Sequence, residues 1–258
     1  MPKWKLLIEY QGTRYRGWQE QANARTVQGE LRTAVEDIFG ERVDIAGAGR
    51  TDAGVHALHQ VAHLRTRSAA RGVDLRNQIS DRLPQDISVR DVREADARFH
   101  ARHDAIERFY LYQISTRRRA FSKPFVWWVK DRLQVDEMIE AAGLLPGKHD
   151  FCAFCDKDEE SAPTLVEITH AEISCREDLI LFRIGASHFL WKMVRRVVGM
   201  LVEVGRGNMK AGRLAQYLQS PSSSVAQWTA PPSGLFLEYI RYQGDKAPAP
   251  IAPAFYLR

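Results

Sequence analysis

Segments whose apolar residues recur every second position are interleaved along this chain with segments whose apolar residues recur every three or four. Trp4, Leu6, Ile8 and Tyr10 alternate as in a strand. Val43 and Ile45 run into a polar turn from which residues 55–64 return, and residues 87–92 alternate again. The clearest strand covers residues 105–115, with Ile106, Arg108, Tyr110, Tyr112 and Ile114 on one face and Phe109 and Leu111 on the other. Helical spacing runs from Val27 to Ile38, between Thr26 as N-cap and Gly40 as stop, and from Leu75 to Leu83, between Asp74 and Pro84. A further helix is expected over 136–145. The strongest helical pattern places Leu190, Met193, Val194, Val197, Val198, Leu201 and Val202 on one stripe, with Ser187 as expected cap and Gly205 or Gly207 as stop. Strands at 165–168 and 179–184, a short helix at 214–218, a Ser-rich turn at 220–224 and a strand at 235–242 complete the reading. Short links between strands favour mixed or mainly antiparallel sheets flanked by helices, hence α+β. The order of elements is similar in 1–115 and 130–245, which predicts two similar lobes with a cleft between them. Residues 116–129 then connect the lobes, and 246–258 form a Pro/Ala-rich tail.

Composition narrows the function class. The chain has 258 residues, 45% hydrophobic and 27% charged, as in ordinary globular proteins. No apolar run approaches the ~20 residues that span a bilayer, so no membrane partner is expected. Three cysteines are too few for a disulfide framework, and the N-terminal residues resemble no export signal. A reducing cytoplasm is the expected compartment. The balance of 37 basic against 32 acidic residues permits a polyanionic partner without requiring one. Arginines 65, 67, 71, 76, 98, 102, 108 and 117–119 lie among aromatics such as Phe99, Phe109, Tyr110 and Tyr112. That mixture suits RNA, whose phosphates and splayed bases are read together, and equally describes a solvated basic surface.

The turn at 47–57 carries the most chemistry. Asp52 stands beside the permanently charged Arg50, between Gly49 and Gly54. Cationic neighbours keep a carboxylate ionised, and therefore nucleophilic or basic. The same residues also make an ordinary turn with a surface ion pair worth under ~1 kcal/mol. Neither a dinucleotide loop nor a P-loop fits, since Asp52 replaces the third glycine and Val55-His56 replace Lys-Ser/Thr. His56, His59 and His63 do not form a metal motif, because strand alternation puts His56 on the face opposite the other two. Cys152-Ala153-Phe154-Cys155 reads as two buried thiols, and the acidic run 156–160 reads as a solvated loop.

Several stretches then match one family in order. They are Glu9–Thr13, Gly17-Trp18-Gln19, Thr26-Val27-Gln28, Gly49–Ala57 with Gln60-Val61, Leu83–Ile87, Phe99–Arg102, Arg108–Tyr112, Phe189–Arg195, Val204-Gly205, and Thr229-Ala230-Pro231 with Gly234-Leu235. On these the chain resembles the TruA-type tRNA pseudouridine synthases. The resemblance implies a pseudouridine synthase fold with an RNA-binding cleft, and isomerisation of uridine to pseudouridine at positions 38, 39 or 40 of the tRNA anticodon arm. It implies Asp52 as nucleophile, Arg195 as its ion-pair partner and Tyr110 as the platform stacking on the target uracil. Arg50, Arg102, Arg108 and Lys192 become RNA contacts, the protein a homodimer, and neither metal nor organic cofactor is needed. Where the family carries an arginine before the next strand, residues 161–166 here have none. An RNA-binding protein without chemistry, or a metallohydrolase built on Asp52 and the histidines, are the competing readings.

Overall fold

The protein is described by a computed structural model over residues 1–67, 72–156, 163–219 and 223–254. Its elements follow in the order β1 (Lys3–Tyr10), α1 (Val27–Phe39), β2 (Asp44–Gly47), β3 (His56–Arg65), α2 (Gly72–Arg82), β4 (Ile87–Glu94) and β5 (Ala105–Ser115). Then come β6 (Trp127–Trp128), α3 (Val135–Ala142), β7 (Gly147–Asp150), β8 (Leu165–Arg176), β9 (Leu179–Ala186), α4 (Met193–Gly205), α5 (Gly212–Gln219) and β10 (Leu235–Tyr242). The fold is α+β, as expected, and the chain forms two compact units. One comprises Met1–Ile106 with Phe236–Ala247, the other Glu107–Leu235 with Pro248–Arg258.

In the first unit β1 pairs antiparallel with both β3 and β4, and β2 pairs antiparallel with β3. Phe236 and Leu237 of β10 pair in parallel with His56 and Ala57, so this sheet is mixed. The period-2 pattern of β1 buries Trp4, Leu6 and Ile8. Helix α1 buries Val27, Leu31, Ala34 and Val35, each large side chain contributing about 1.5–3 kcal/mol when withdrawn from water. Its cap is the expected one: Thr26 Oγ1 accepts from Gly29 N at 3.2 Å. Helix α2 begins at Gly72, so Asp74 falls in its first turn and is not the cap the sequence suggested. Between Ile8 and Tyr10 of β1, the paired residue on β3 moves from Gln60 to Ala57, a bulge with one extra residue on β3.

In the second unit β9 pairs antiparallel with β5 and β8, β8 with β7, and β6 runs parallel to the end of β5. Strand β9 is buried from Ile180 to Ala186, and α4 buries the apolar stripe from Met193 to Val202, while Leu190 precedes the helix and is half-buried. That helix starts later than the sequence suggested. Its N-cap is Lys192 rather than Ser187, in the left-handed region at φ 62° and with no side-chain cap. The segment after residue 246 is draped rather than loose as far as Ala254. Ile251 is buried, Ala249 O accepts from Arg183, and Ala254 N donates to Gln113. Arg71, residues 157–160 of the acidic run, Ser161 and Ala162, and Ser220–Ser222 of the Ser-rich turn lie outside the described residues.

Candidate active site

Asp52 opens a tight turn in which Val55 N donates to its carbonyl at 3.1 Å and Gly54 takes φ 79°. Positive φ at the third position is what a type II turn requires, and glycine adopts it without strain. The Asp52 side chain is half-buried, and Arg50 is exposed on the same segment.

What fixes this turn comes from distant parts of the first unit. Thr51 Oγ1 shares a 2.8 Å hydrogen bond with Tyr10 Oη, and Thr51 O accepts from Trp18 N at 3.1 Å. Gly54 N donates to Tyr15 O, and Tyr15 Oη donates to Asp86. The fully buried Gln60 holds both backbone groups of Gly49, accepting from its N at 3.2 Å and donating to its O at 2.6 Å. Gln28 ties the neighbouring loop to β2 by donating to Ile45 O at 2.7 Å while accepting from Gln19 and Glu20. His56 Nδ1 accepts from Gly12 N at 3.1 Å, so its proton sits on Nε2. Burial pushes the Tyr10 hydroxyl well above its ordinary range, so it remains a neutral hydrogen-bonding group. The backbone of Gly49, Thr51 and Gly54 around Asp52 is therefore held by residues from elsewhere in the first unit. Sequence spacing did not single out Tyr10, Gln28 and Gln60 for this bracing. The available signal is Gln60 at a buried position of β3, next to Val61 and Ala62.

Arg102 also belongs to the first unit. Its turn is pinned by His63 Nδ1, which accepts from Ala101 N at 3.2 Å, by Tyr242 Oη, which donates to Ala101 O at 2.7 Å, and by Lys3, which donates to Phe99 O. The Arg102 side chain is exposed.

Tyr110, Arg108, Lys192 and Arg195 all lie in the second unit. Tyr110 is only 7% exposed, with its ring edge-to-face against Phe189 at 4.9 Å. Arg108 Nη1 donates to Ser187 O at 2.8 Å, so both residues grip the segment leading to α4. Tyr112 is a core residue whose hydroxyl donates to Pro231 O at 2.8 Å, and burial drives its pKa well up. Arg195 Nε donates to Ala230 O at 2.7 Å, while Ala230 N donates back to Arg195 O at 3.0 Å. Tyr112 and Arg195 thus meet the same stretch, Ala230-Pro231, from a strand and a helix.

The basic flank of α4 is not simply a solvated face. Arg196 is 5% exposed, and its guanidinium and the Lys192 ammonium both pair with Asp156. Burial pushes the Asp156 carboxyl up, but the hydrogen bonds from Lys192 and Arg196 outweigh it and hold the group below its usual range. Asp156 N also donates to Trp191 O. The first residue of the acidic run is therefore a brace, not part of a solvated loop.

The histidines of β3 each have separate neighbours. His56 stacks on Phe236, His59 packs against Tyr239 and His63 against His100. Among the described residues, no group of three or more His, Cys, Asp or Glu side chains is arranged to hold a metal ion. Cys155 is buried and Cys152 half-buried. No described helix is long and apolar enough to cross a membrane.

Comparison with known proteins assigns the fold. A family model described as tRNA pseudouridine synthase matches residues 6–104 and 141–243. The chain is 42% identical over 246 residues to the tRNA pseudouridine synthase A of Rhodopseudomonas palustris, covering 94% of this chain and all of that protein. It is 39% identical over 241 residues to that of Thermosipho melanesiensis and 38% identical over 240 residues to that of Acetivibrio thermocellus, in both cases covering 92% of this chain and 98% of the relative. The matched stretches contain the Asp52 turn, β4 and the whole of α4 with Arg195, and on this basis the chain belongs to the tRNA pseudouridine synthase family.

Proposed function

We propose that this protein isomerises uridine to pseudouridine in the anticodon arm of tRNA, at position 38, 39 or 40, with Asp52 as nucleophile. The observation that carries the reading is the Asp52 turn itself. The backbone around a half-buried carboxylate is held by Tyr10 and Trp18, which hydrogen-bond to Thr51, and by Tyr15 O, which accepts from Gly54 N. Such bracing suits a group that must meet one atom of a bound nucleotide and not merely decorate a surface.

The reaction breaks the bond between C1′ and N1 and forms one between C1′ and C5. The C5 proton is lost, and N1 ends protonated. Three openings fit a lone carboxylate: attack at C1′, attack at C6 of the ring, or abstraction of the 2′ proton. A route that parts sugar from base develops positive charge on the ribose, which Asp52 would stabilise. Tyr110 would keep the detached uracil stacked, and Arg195 supplies the guanidinium that the resemblance pairs with the carboxylate. Exposed Arg50 and Arg102, with Arg108 and Lys192, would meet phosphates of a flipped-out nucleotide, whose extrusion costs a few kcal/mol (order of magnitude). The isomerisation involves no net redox change, and the reading invokes neither metal nor cofactor. The protein would act in the cytoplasm and as a homodimer, the latter checked by sedimentation of the purified chain.

The test is Asp52→Asn. Incubated with tRNA, this variant should form no pseudouridine while retaining the wild-type affinity for tRNA within a few-fold. Turnover near the wild-type rate would remove Asp52 from the chemistry.

A further inference from the structure

The segment from Thr116 to Val126 has no role in the reaction outlined above, yet it is closed and pinned. Val129 N donates to Ser115 O at 3.0 Å, and β6 pairs with β5 through Ile114–Trp127 and Ser115–Trp128, so the loop returns to where it left. Arg119 makes a two-pronged ion pair with Asp178 at 2.7 and 2.8 Å. Gln113 donates to Phe125 O, and Ser115 Oγ donates to Arg117 O. A loop fixed at this many points is preorganised for what it presents.

What it presents is unusual for a protein surface. Phe121 is 89% exposed and Trp128 40% exposed, and the Arg118 guanidinium lies 5.4 Å from the Trp128 ring centre. Arg117, Arg118 and Lys123 are exposed around them. Residues 117–132 hold six cationic side chains against one carboxylate, Asp131, and that one is paired with Arg206. A large ring left in water gains by finding a flat apolar partner, and the surrounding cations ask for an anionic one. Both demands are met together by an unpaired nucleotide, whose base stacks and whose flanking phosphates bind arginine and lysine.

We propose that this loop is an RNA platform, in which Phe121 or Trp128 stacks an unpaired base while Arg117, Arg118 and Lys123 hold the adjoining phosphates. The proposal rests on the tRNA reading above and adds a binding surface to it. A second copy of the chain is the other occupant such rings could take. It is disfavoured because packing so cationic a loop into a protein interface would strand like charges, and lysine is depleted from interface cores.

The experiment measures binding of unmodified tRNA to wild-type protein and to Phe121→Ala, Trp128→Phe and Arg118→Gln across a salt series. Phe121→Ala should raise Kd about five- to tenfold without lowering Tm, since the ring is exposed, and Trp128→Phe should raise it less. Arg118→Gln should flatten the dependence of log Kd on log salt by about one. Wild-type binding with all three variants equally tight would overturn the platform while leaving the catalytic reading intact. Unchanged Kd with altered sedimentation in Phe121→Ala would also overturn it, and would assign the loop to contact between copies. If wild-type protein bound no tRNA, the tRNA reading itself would fail, and the platform with it.

Discussion

At Gly17 the backbone takes φ 99°, and a β-carbon there would sit 2.4 Å from Thr51 O and 3.2 Å from the carbonyl carbon of Asp52. Two penalties therefore coincide, a left-handed conformation that side chains resist and a collision with the backbone that carries the candidate nucleophile. Gly17→Ala should destabilise the protein by about 2 kcal/mol or more. It should also lower kcat for pseudouridine formation more than tenfold, because relieving the clash shifts the Thr51–Asp52 backbone against its packing on Gly17. Denaturant unfolding and turnover on tRNA measure the two effects. A variant of normal stability and turnover would mean that the contact is not needed to fix Asp52. The residues bracing this turn were partly readable in advance. Gly49, Asp52 and Gly54 announce a polar turn by type alone. Gln28 and Gln60 do not, because the partner of a buried amide lies across the fold, and nothing in one-dimensional spacing records it.

The start of α4 makes the same point for an element. The apolar stripe predicts the helix, since burial of six apolar residues at helical spacing, Met193, Val194, Val197, Val198, Leu201 and Val202, has few other solutions. The helix begins later than a cap at Ser187 implies, because its cap is not local. The first turn contains no acidic residue and no side-chain cap, while Lys192, Arg195 and Arg196 crowd the end where the helix dipole is already positive. Asp156, far away in sequence, supplies the missing anion and bonds Trp191 through its backbone. The two-residue β6 leaves no trace in the sequence for a related reason, being too short to show any period. Asp156→Asn keeps the shape and removes the charge, leaving the buried Arg196 without its counter-ion. Stability should fall by on the order of 1–3 kcal/mol. Turnover should fall several-fold through the loosened Arg195, with Asp156→Glu recovering part of it. If Asp156→Asn lost stability alone and kept full turnover at permissive temperature, the brace would be structural and Arg195 independent of it.

Across the whole molecule the first unit is built from both ends of the chain, since residues 236–247 complete what residues 1–106 begin. Tyr242 and His63 meet at Ala101 on that closure, and His63 is a residue through which pH can act on it. Burial first, and the charge of nearby His100 second, push the His63 pKa down to about 4. Geometry gives the same direction: Nδ1 already accepts from Ala101 N, so a second proton would break that bond. His59 and His100 are lowered too, chiefly by burial. A histidine depressed in the folded state binds its proton more readily when unfolded. Its stabilising contribution is therefore complete above about pH 6.5 and is lost as pH falls from there towards about 4. Asp156, held below its usual range, stays ionised across that window and does not mask the effect. His63→Gln preserves an acceptor for Ala101 N but cannot titrate. The denaturation midpoint of the wild-type protein should consequently drop more steeply between pH 7 and pH 4.5 than that of His63→Gln. Parallel pH profiles for the two proteins would show that the closure of the first unit is insensitive to this proton.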